Sequence, residues 1–209
     1  MVNIEQLVQE GLVTDPSSPK GALLRTATNL FRRKGYDRTT VRDLARALGI
    51  QSGSLFHHFK SKEDILATVM AETIVVCTEQ LRLALTGIHN PKEKLLALIK
   101  CEIQSIVGDQ GESLGVVVVE WGTLSKERRE PLLSLRADYE NLWLQALQEA
   151  REAGLLVMEP AIMRRFLTGA LSWIDTWYNP EGELQADELA HLALRMLIGH
   201  SSETIPSIN

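Results

Sequence analysis

Cysteine is nearly absent from this sequence: Cys77 and Cys101 are the only two among 209 residues, and no CxxC spacing joins them. That excludes a disulfide framework, and each thiol is expected to be reduced and buried in an apolar helical stretch. Long apolar runs are also missing. No window of about 18 uncharged apolar residues exists, so no membrane span is expected. The first residues carry Glu5 and Glu10 and no basic or long apolar stretch, so no secretion signal is read there and the protein is expected in the cytoplasm. There is no Gly-rich phosphate loop and no HExxH, and neither cysteine has a histidine at motif spacing. An enzyme is therefore not expected, nor is a cofactor. The adjacent pair His57-His58 is no metal site, because neighbours on a helix point roughly 100° apart and no thiol or carboxylate cluster joins them.

Charge is distributed unevenly. The formal net charge is −5, yet residues 1–62 carry ten Lys/Arg against five Asp/Glu, while residues 63–209 carry twelve against twenty-two. Within 16–62 only Asp37 and Asp43 oppose the ten basic residues. A basic module on an acidic body is the footprint of a nucleic-acid reader whose other half does something else.

The stretch Thr39 to Lys62, TTVRDLARALGIQSGSLFHHFKSK, supplies the detail. Thr40 with Asp43 three residues on can form a capping box, Val41, Leu44, Ala45 and Leu48 repeat at helical spacing, and Gly49 is placed to end the helix left-handed. Ile50 is expected to close the apolar seam. A second short helix then starts at Gln51, with Leu55 and Phe59 packing back on Leu44 and Leu48. This is a helix-turn-helix pattern that leaves Ser52, Gly53, Ser54, His57, His58 and Lys60 facing outward. The second helix suits a major groove about 12 Å wide. There Gln51, Ser52, Ser54 and His58 can address base edges, and Gly53 allows close backbone approach. Thr39, Thr40, His57, Lys60 and Lys62 are read as phosphate contacts.

From about residue 19 to 66 this order of residues resembles the DNA-binding domain of the TetR family of transcriptional regulators, with the turn, the aromatic-His-His-Phe run and the Lys-Ser-Lys-Glu restart in register. One departure is Phe56, where family members usually carry a Tyr whose hydroxyl donates to a phosphate; Phe56 is expected to pack instead. The resemblance implies a double-stranded, palindromic operator, and an apolar inducer pocket in the body. A shorter stretch, Gly169 to Gly182 with Trp173 and Trp177, is similar to the ending of TetR-type regulators that sense acyl-CoA thioesters, which inclines the effector toward that class.

The rest reads as helices, giving an all-α fold: a tail over 1–18, a helix-turn-helix domain over 19–65 with its first helix at Pro19–Lys34, and an effector-binding and dimerisation domain over 66–200. A helix over about 61–86 would span about 37 Å and link the two. Val116 to Val119 has strand propensity, but with no partner strand it is taken as helix. Helices follow from Asn90, from Ser125 to Gly154, from Pro160 to Tyr178 and from Gln185 to Gly199. A single reading module makes few contacts, so a homodimer is expected, with half-sites ~34–36 Å apart. Its interface is assigned to the last two helices, through Phe166, Ala170, Ile174, Leu189, Ala193 and Met196. Glu120, Trp121, Tyr139, Trp143 and Trp173 are the candidate pocket residues for a hydrophobic effector. The alternative is a DNA-binding regulator or architectural protein without an inducer, in which those aromatics are only core.

Overall fold

Helix ends in this chain follow local chemistry closely. Ser18 accepts a hydrogen bond from the Gly21 N–H (3.0 Å) at the start of a helix over Pro19–Lys34, whose first residue, proline, loses nothing there. Gly35, at φ +82°, ends it in a backbone region that side chains disfavour. Thr40 and Asp43 bond reciprocally, and Gly49 closes that helix left-handed at φ +69°. Asn90 accepts from the N–H groups of Lys92 and Glu93 (2.9 and 3.3 Å).

The computed structural model describes residues 2–108 and 111–198. Two residues of the turn expected at 108–111, and the expected helix end and polar tail from residue 199 onward, lie outside them. Among the described residues there are eleven α-helices and no strand. They are α1 (Ile4–Gln9), α2 (Pro19–Lys34), α3 (Val41–Leu48), α4 (Ser52–Leu55), α5 (Lys62–Leu85), α6 (Pro91–Val107), α7 (Gly111–Glu120), α8 (Lys126–Glu152), α9 (Pro160–Ser172), α10 (Ile174–Trp177) and α11 (Ala186–Ile198), with a 3-10 turn at Trp121–Thr123. The valine run is helical, with Val116 buried and Val118 and Val119 exposed. The single helix expected over 160–178 is broken at Trp173 into α9 and α10.

By packing, the chain forms two compact units. Described residues within Met1–Leu83 and Gly108–Glu140 make the first, and those within Ala84–Val107 and Asn141–Asn209 the second. The boundary expected at 65/66 is not a packing boundary, because α5 runs through it and Val69, Met70 and Ile74 join the same core as Leu23, Phe31, Leu44, Leu55 and Phe59. Val116 of α7, Leu124 just before α8 and Leu132 within it complete that core. Within the expected tail over 1–18, Leu7 and Val13 are buried, and the Thr14 N–H and hydroxyl both donate to Glu72 of α5 (3.0 and 2.6 Å). In the second unit α6 packs on α9, α10 and α11, around Leu95, Leu98, Ile99, Ile103, Leu167, Leu171, Ala190 and Leu194.

Candidate functional site

The reading head is built by fixing one loop. Between α2 and α3 the chain from Gly35 to Thr40 carries carbonyls and N–H groups that no helix satisfies. Thr39 is fully buried there, its hydroxyl donating to the Gly35 carbonyl at 2.8 Å with the Leu30 carbonyl at 3.3 Å. The Lys62 ammonium donates to the carbonyls of Tyr36 and Thr39 (2.8 and 2.9 Å) and lies 3.9 Å from the centroid of the Tyr36 ring. Glu120, at the end of α7, accepts the Tyr36 N–H at 2.9 Å and the Thr123 hydroxyl at 2.9 Å. Burial of the Tyr36 phenol, then the nearby Glu63 carboxylate, raises its pKa.

Three expectations change here. Thr39 and Lys62 are expected as phosphate contacts; instead the Thr39 hydroxyl and two of the three Lys62 N–H groups are bonded to the loop and hold the head together. Glu120 was read as a pocket residue; it ties α7 to that loop instead. Two further corrections concern apolar residues: Ile50 does not close the seam but is exposed, and Phe56 does not pack but is 55% exposed.

The outward set is otherwise placed as expected. Gln51, Gly53, His57, His58 and Lys60 are exposed and Ser52 and Ser54 half-buried on or next to α4, whose Leu55 faces the core. Thr40 is exposed while capping α3. Hydrogen bonds from the Thr40 N–H, then its hydroxyl, hold the Asp43 carboxyl below its ordinary pKa. Sequence reasoning missed Arg42 and Arg46, both exposed on α3. The signal was there, since neither lies in the Val41–Leu44–Ala45–Leu48 stripe. Arg25 on α2 donates to the Pro16 carbonyl.

The five candidate pocket residues do not form one cluster within either unit. Glu120, Trp121 and Tyr139 belong to the first, where the Arg136 guanidinium lies 5.1 Å from the Trp121 ring centroid. A cavity of about 420 Å³ in that unit lies under the N-terminal segment, lined by residues such as Val13, Thr28, Val69 and Thr73 and by none of the five. Trp143 and Trp173 belong to the second. Trp173, a candidate pocket residue, is 66% exposed. Trp143 is fully buried, and its Nε1–H finds no hydrogen-bond partner among the described residues. The Arg164 guanidinium lies 4.4 Å from the Trp143 ring centroid and 3.2 Å from Glu102, and both charged residues are buried. Sequence reasoning missed this pair. Arg164 stands in register with Pro160, Leu167 and Leu171, and Glu102 with Leu95, Leu98 and Ile99, so a charge on an apolar stripe was the available signal. Burial and then the Glu102 charge push the adjacent Cys101 thiol up to about 11, which keeps it protonated at neutral pH.

The expected dimer residues divide. Ile174 and Leu189 are buried within the second unit, so they are core and not interface. Ala193 is half-buried. Phe166, Ala170 and Met196 are exposed, and Ile162, Phe166, Ala170, Trp173 and Trp177 follow one another at helical spacing along α9 and α10. No helix among the described residues is long and apolar enough to cross a membrane.

Residues 23–69 match the family described as bacterial regulatory proteins of the tetR family, and residues 89–200 match the tetracyclin repressor-like C-terminal domain. The transcriptional repressor KstR2 of Mycolicibacterium smegmatis is 28% identical over 190 residues, covering 89% of this chain and 92% of the relative. AibR, solved with isovaleryl coenzyme A and operator DNA, is 26% identical with a TM-score of 0.80, covering 87% of this chain and 98% of that one. A solved structure described as the superantigen pfit is 51% identical with a TM-score of 0.82, covering 94% and 98%. The head's helix-turn-helix, the helical second unit and these matches, the second of which spans more than half of the chain, agree: the chain belongs to the TetR family of DNA-binding transcriptional regulators, which are not enzymes.

Proposed function

We propose that this protein is a ligand-responsive repressor that binds a palindromic operator as a homodimer in the cytoplasm and is released by a hydrophobic small molecule of the acyl-CoA class. The observation that carries this reading is the head itself, a short helix with polar and basic groups outward on a loop pinned by Thr39, Lys62 and Glu120. The division expected at 65/66 gives way to the packing: the first unit, which carries the helix-turn-helix, acts as the reading unit and the second as the effector-binding and dimerisation unit. Gln51, Ser52, Gly53, Ser54 and His58 address base edges; Arg42, His57 and Lys60 address phosphates, while Thr40 caps α3 with both its donors on Asp43. The exposed run Ile162, Phe166, Ala170, Trp173 and Trp177, with Met196 and Ala193 of α11, forms the dimer face.

The effector site centres on the second unit. A buried N–H without a partner costs about 1–3 kcal/mol, so the Trp143 indole is a donor in want of an acceptor, with the Arg164–Glu102 pair beside it. A thioester carbonyl is such an acceptor, and AibR, at 26% identity, was solved with an acyl-CoA and DNA together. Effector binding shifts α5 and the Glu120 tether, and with them the spacing of the two heads. Moving occupancy from nearly all bound to nearly all free requires a preference of ~10⁴-fold, or ~5.5 kcal/mol, for the released form. Thermal unfolding with a series of acyl-CoAs and their free acids tests this, since a ligand of the folded form raises the midpoint. A rise for one chain length, lost in Trp143→Phe, is expected. No rise across the series would leave a regulator without an acyl-CoA inducer.

A second reading has one observation in its favour, the 51% identity to a protein described as a superantigen. Under it, purified protein free of endotoxin stimulates T-cell proliferation. Absence of a response at concentrations that saturate DNA would remove it.

A further inference from the structure

One large apolar side chain on the reading head has no part in the proposed base and phosphate contacts. Phe56 directly follows α4, its backbone still near helical at φ −73° and ψ −7°, and its ring is 55% exposed. Its neighbours divide by face. Leu55 and Phe59 are buried in the core, whereas Gln51, Gly53, His57, His58 and Lys60 are exposed. Helical spacing puts Phe56 four residues after Ser52 and three after Gly53, on the side of α4 proposed to meet base edges.

A lone exposed apolar residue is ordinary. This one is surrounded by polar and basic groups, on the surface whose proposed partner is a polyanion. Phenylalanine has no donor to offer a phosphate. At base level in the major groove, the apolar group a duplex presents is the C5-methyl of thymine. We propose that Phe56 is a specificity-determining residue that reads one thymine in each half-site by packing its ring on that methyl. The proposal rests on the reading of α4 as the groove helix.

The test uses the full-length protein and duplexes selected by it from a random pool. Each thymine of the preferred duplex is replaced in turn by deoxyuridine, which removes only the methyl. One symmetry-related pair of positions is expected to lose about fourfold in affinity per half-site, the worth of one buried methyl group. Phe56→Ala should bind the thymine duplex more weakly and show no thymine-to-uracil difference at that pair, while differences elsewhere persist. Phe56→Tyr should retain the difference. Since the ring is exposed, an unchanged melting temperature for Phe56→Ala is expected and is checked alongside. If the uracil penalty persists in Phe56→Ala, or if that variant weakens preferred and random duplexes equally, the ring does not read thymine. If selection yields no preferred duplex, the reading of α4 itself falls; a preferred duplex without a Phe56-linked thymine overturns only the present proposal.

Discussion

The reading head and the second unit are built as opposites. The head packs Leu44, Leu55 and Phe59 inside and keeps one ammonium, that of Lys62, on its loop, while Arg42, Arg46 and Lys60 and the polar His57 and His58 face solvent. The second unit places a charge pair inside, Arg164 with Glu102, and turns hydrocarbon out along Ile162, Phe166, Trp173 and Trp177. Each arrangement costs stability unless a partner completes it. A basic surface is completed by a polyanion, and an apolar helical stripe by another apolar surface. The difference matches the two partners proposed, DNA for the head and a second protomer for the stripe.

The largest expected effect breaks the inverted interior. Arg164→Leu leaves Glu102 buried without that cation and should cost about 3–5 kcal/mol in urea unfolding, whereas adding Glu102→Leu should recover most of it. If the single and double variants were equally destabilised, the pair would not be acting as a unit. Next is the exposed stripe. Phe166→Glu should weaken self-association by more than about 2 kcal/mol, seen as monomer by analytical ultracentrifugation at concentrations where the parent is a dimer. An unchanged oligomeric state would remove the stripe from the interface.

Within the head, two lysines two residues apart should behave differently. Lys62→Met gives up two hydrogen bonds from an ammonium, about 1.5–3 kcal/mol each, and should lower the unfolding free energy while leaving the salt dependence of DNA binding intact. Lys60→Met should leave stability unchanged and reduce the slope of log K against log salt by about 0.9 for each protomer's contact. The smallest effect is in acid. Glu63 accepts the Ser125 N–H at 2.7 Å, and this bond holds its carboxyl below the ordinary value of 4.5. A depressed carboxylate stabilises above its unfolded pKa, and that contribution is lost as pH falls through the folded value. Urea midpoints measured between pH 6 and about 3 should therefore fall less steeply for Glu63→Gln than for the parent.

What could be read from the sequence follows the range of the interactions. The Thr40–Asp43 capping box, the Gly49 turn and the bounds of α2 depend on residues three or four apart, and the pattern gave them correctly. Lys62 could not be placed the same way. Its partners Tyr36 and Thr39 lie more than twenty residues back, and only the folded loop shows that its charge points inward. Thr39 and Glu120 are misplaced for the same reason. On α9 and α10 the difficulty is different: apolar residues occupy both faces, so periodicity cannot say which one is inward. Ile174 was thereby assigned to the interface and proved to be core, while Phe166 on the other face is exposed. Arg164 was legible in principle, since a lone arginine on an apolar register has to be paired.

The central claim is release of specific DNA by an effector, and fluorescence anisotropy of the selected duplex, titrated with the protein and then with acyl-CoAs, tests it most directly. The account predicts saturable binding to the palindromic duplex at low salt, loss of that binding with one acyl-CoA, and no loss with the matching free acid. Binding that no acyl-CoA disturbs would contradict the effector half of the account, and equal affinity for selected and random duplexes would contradict the account as a whole.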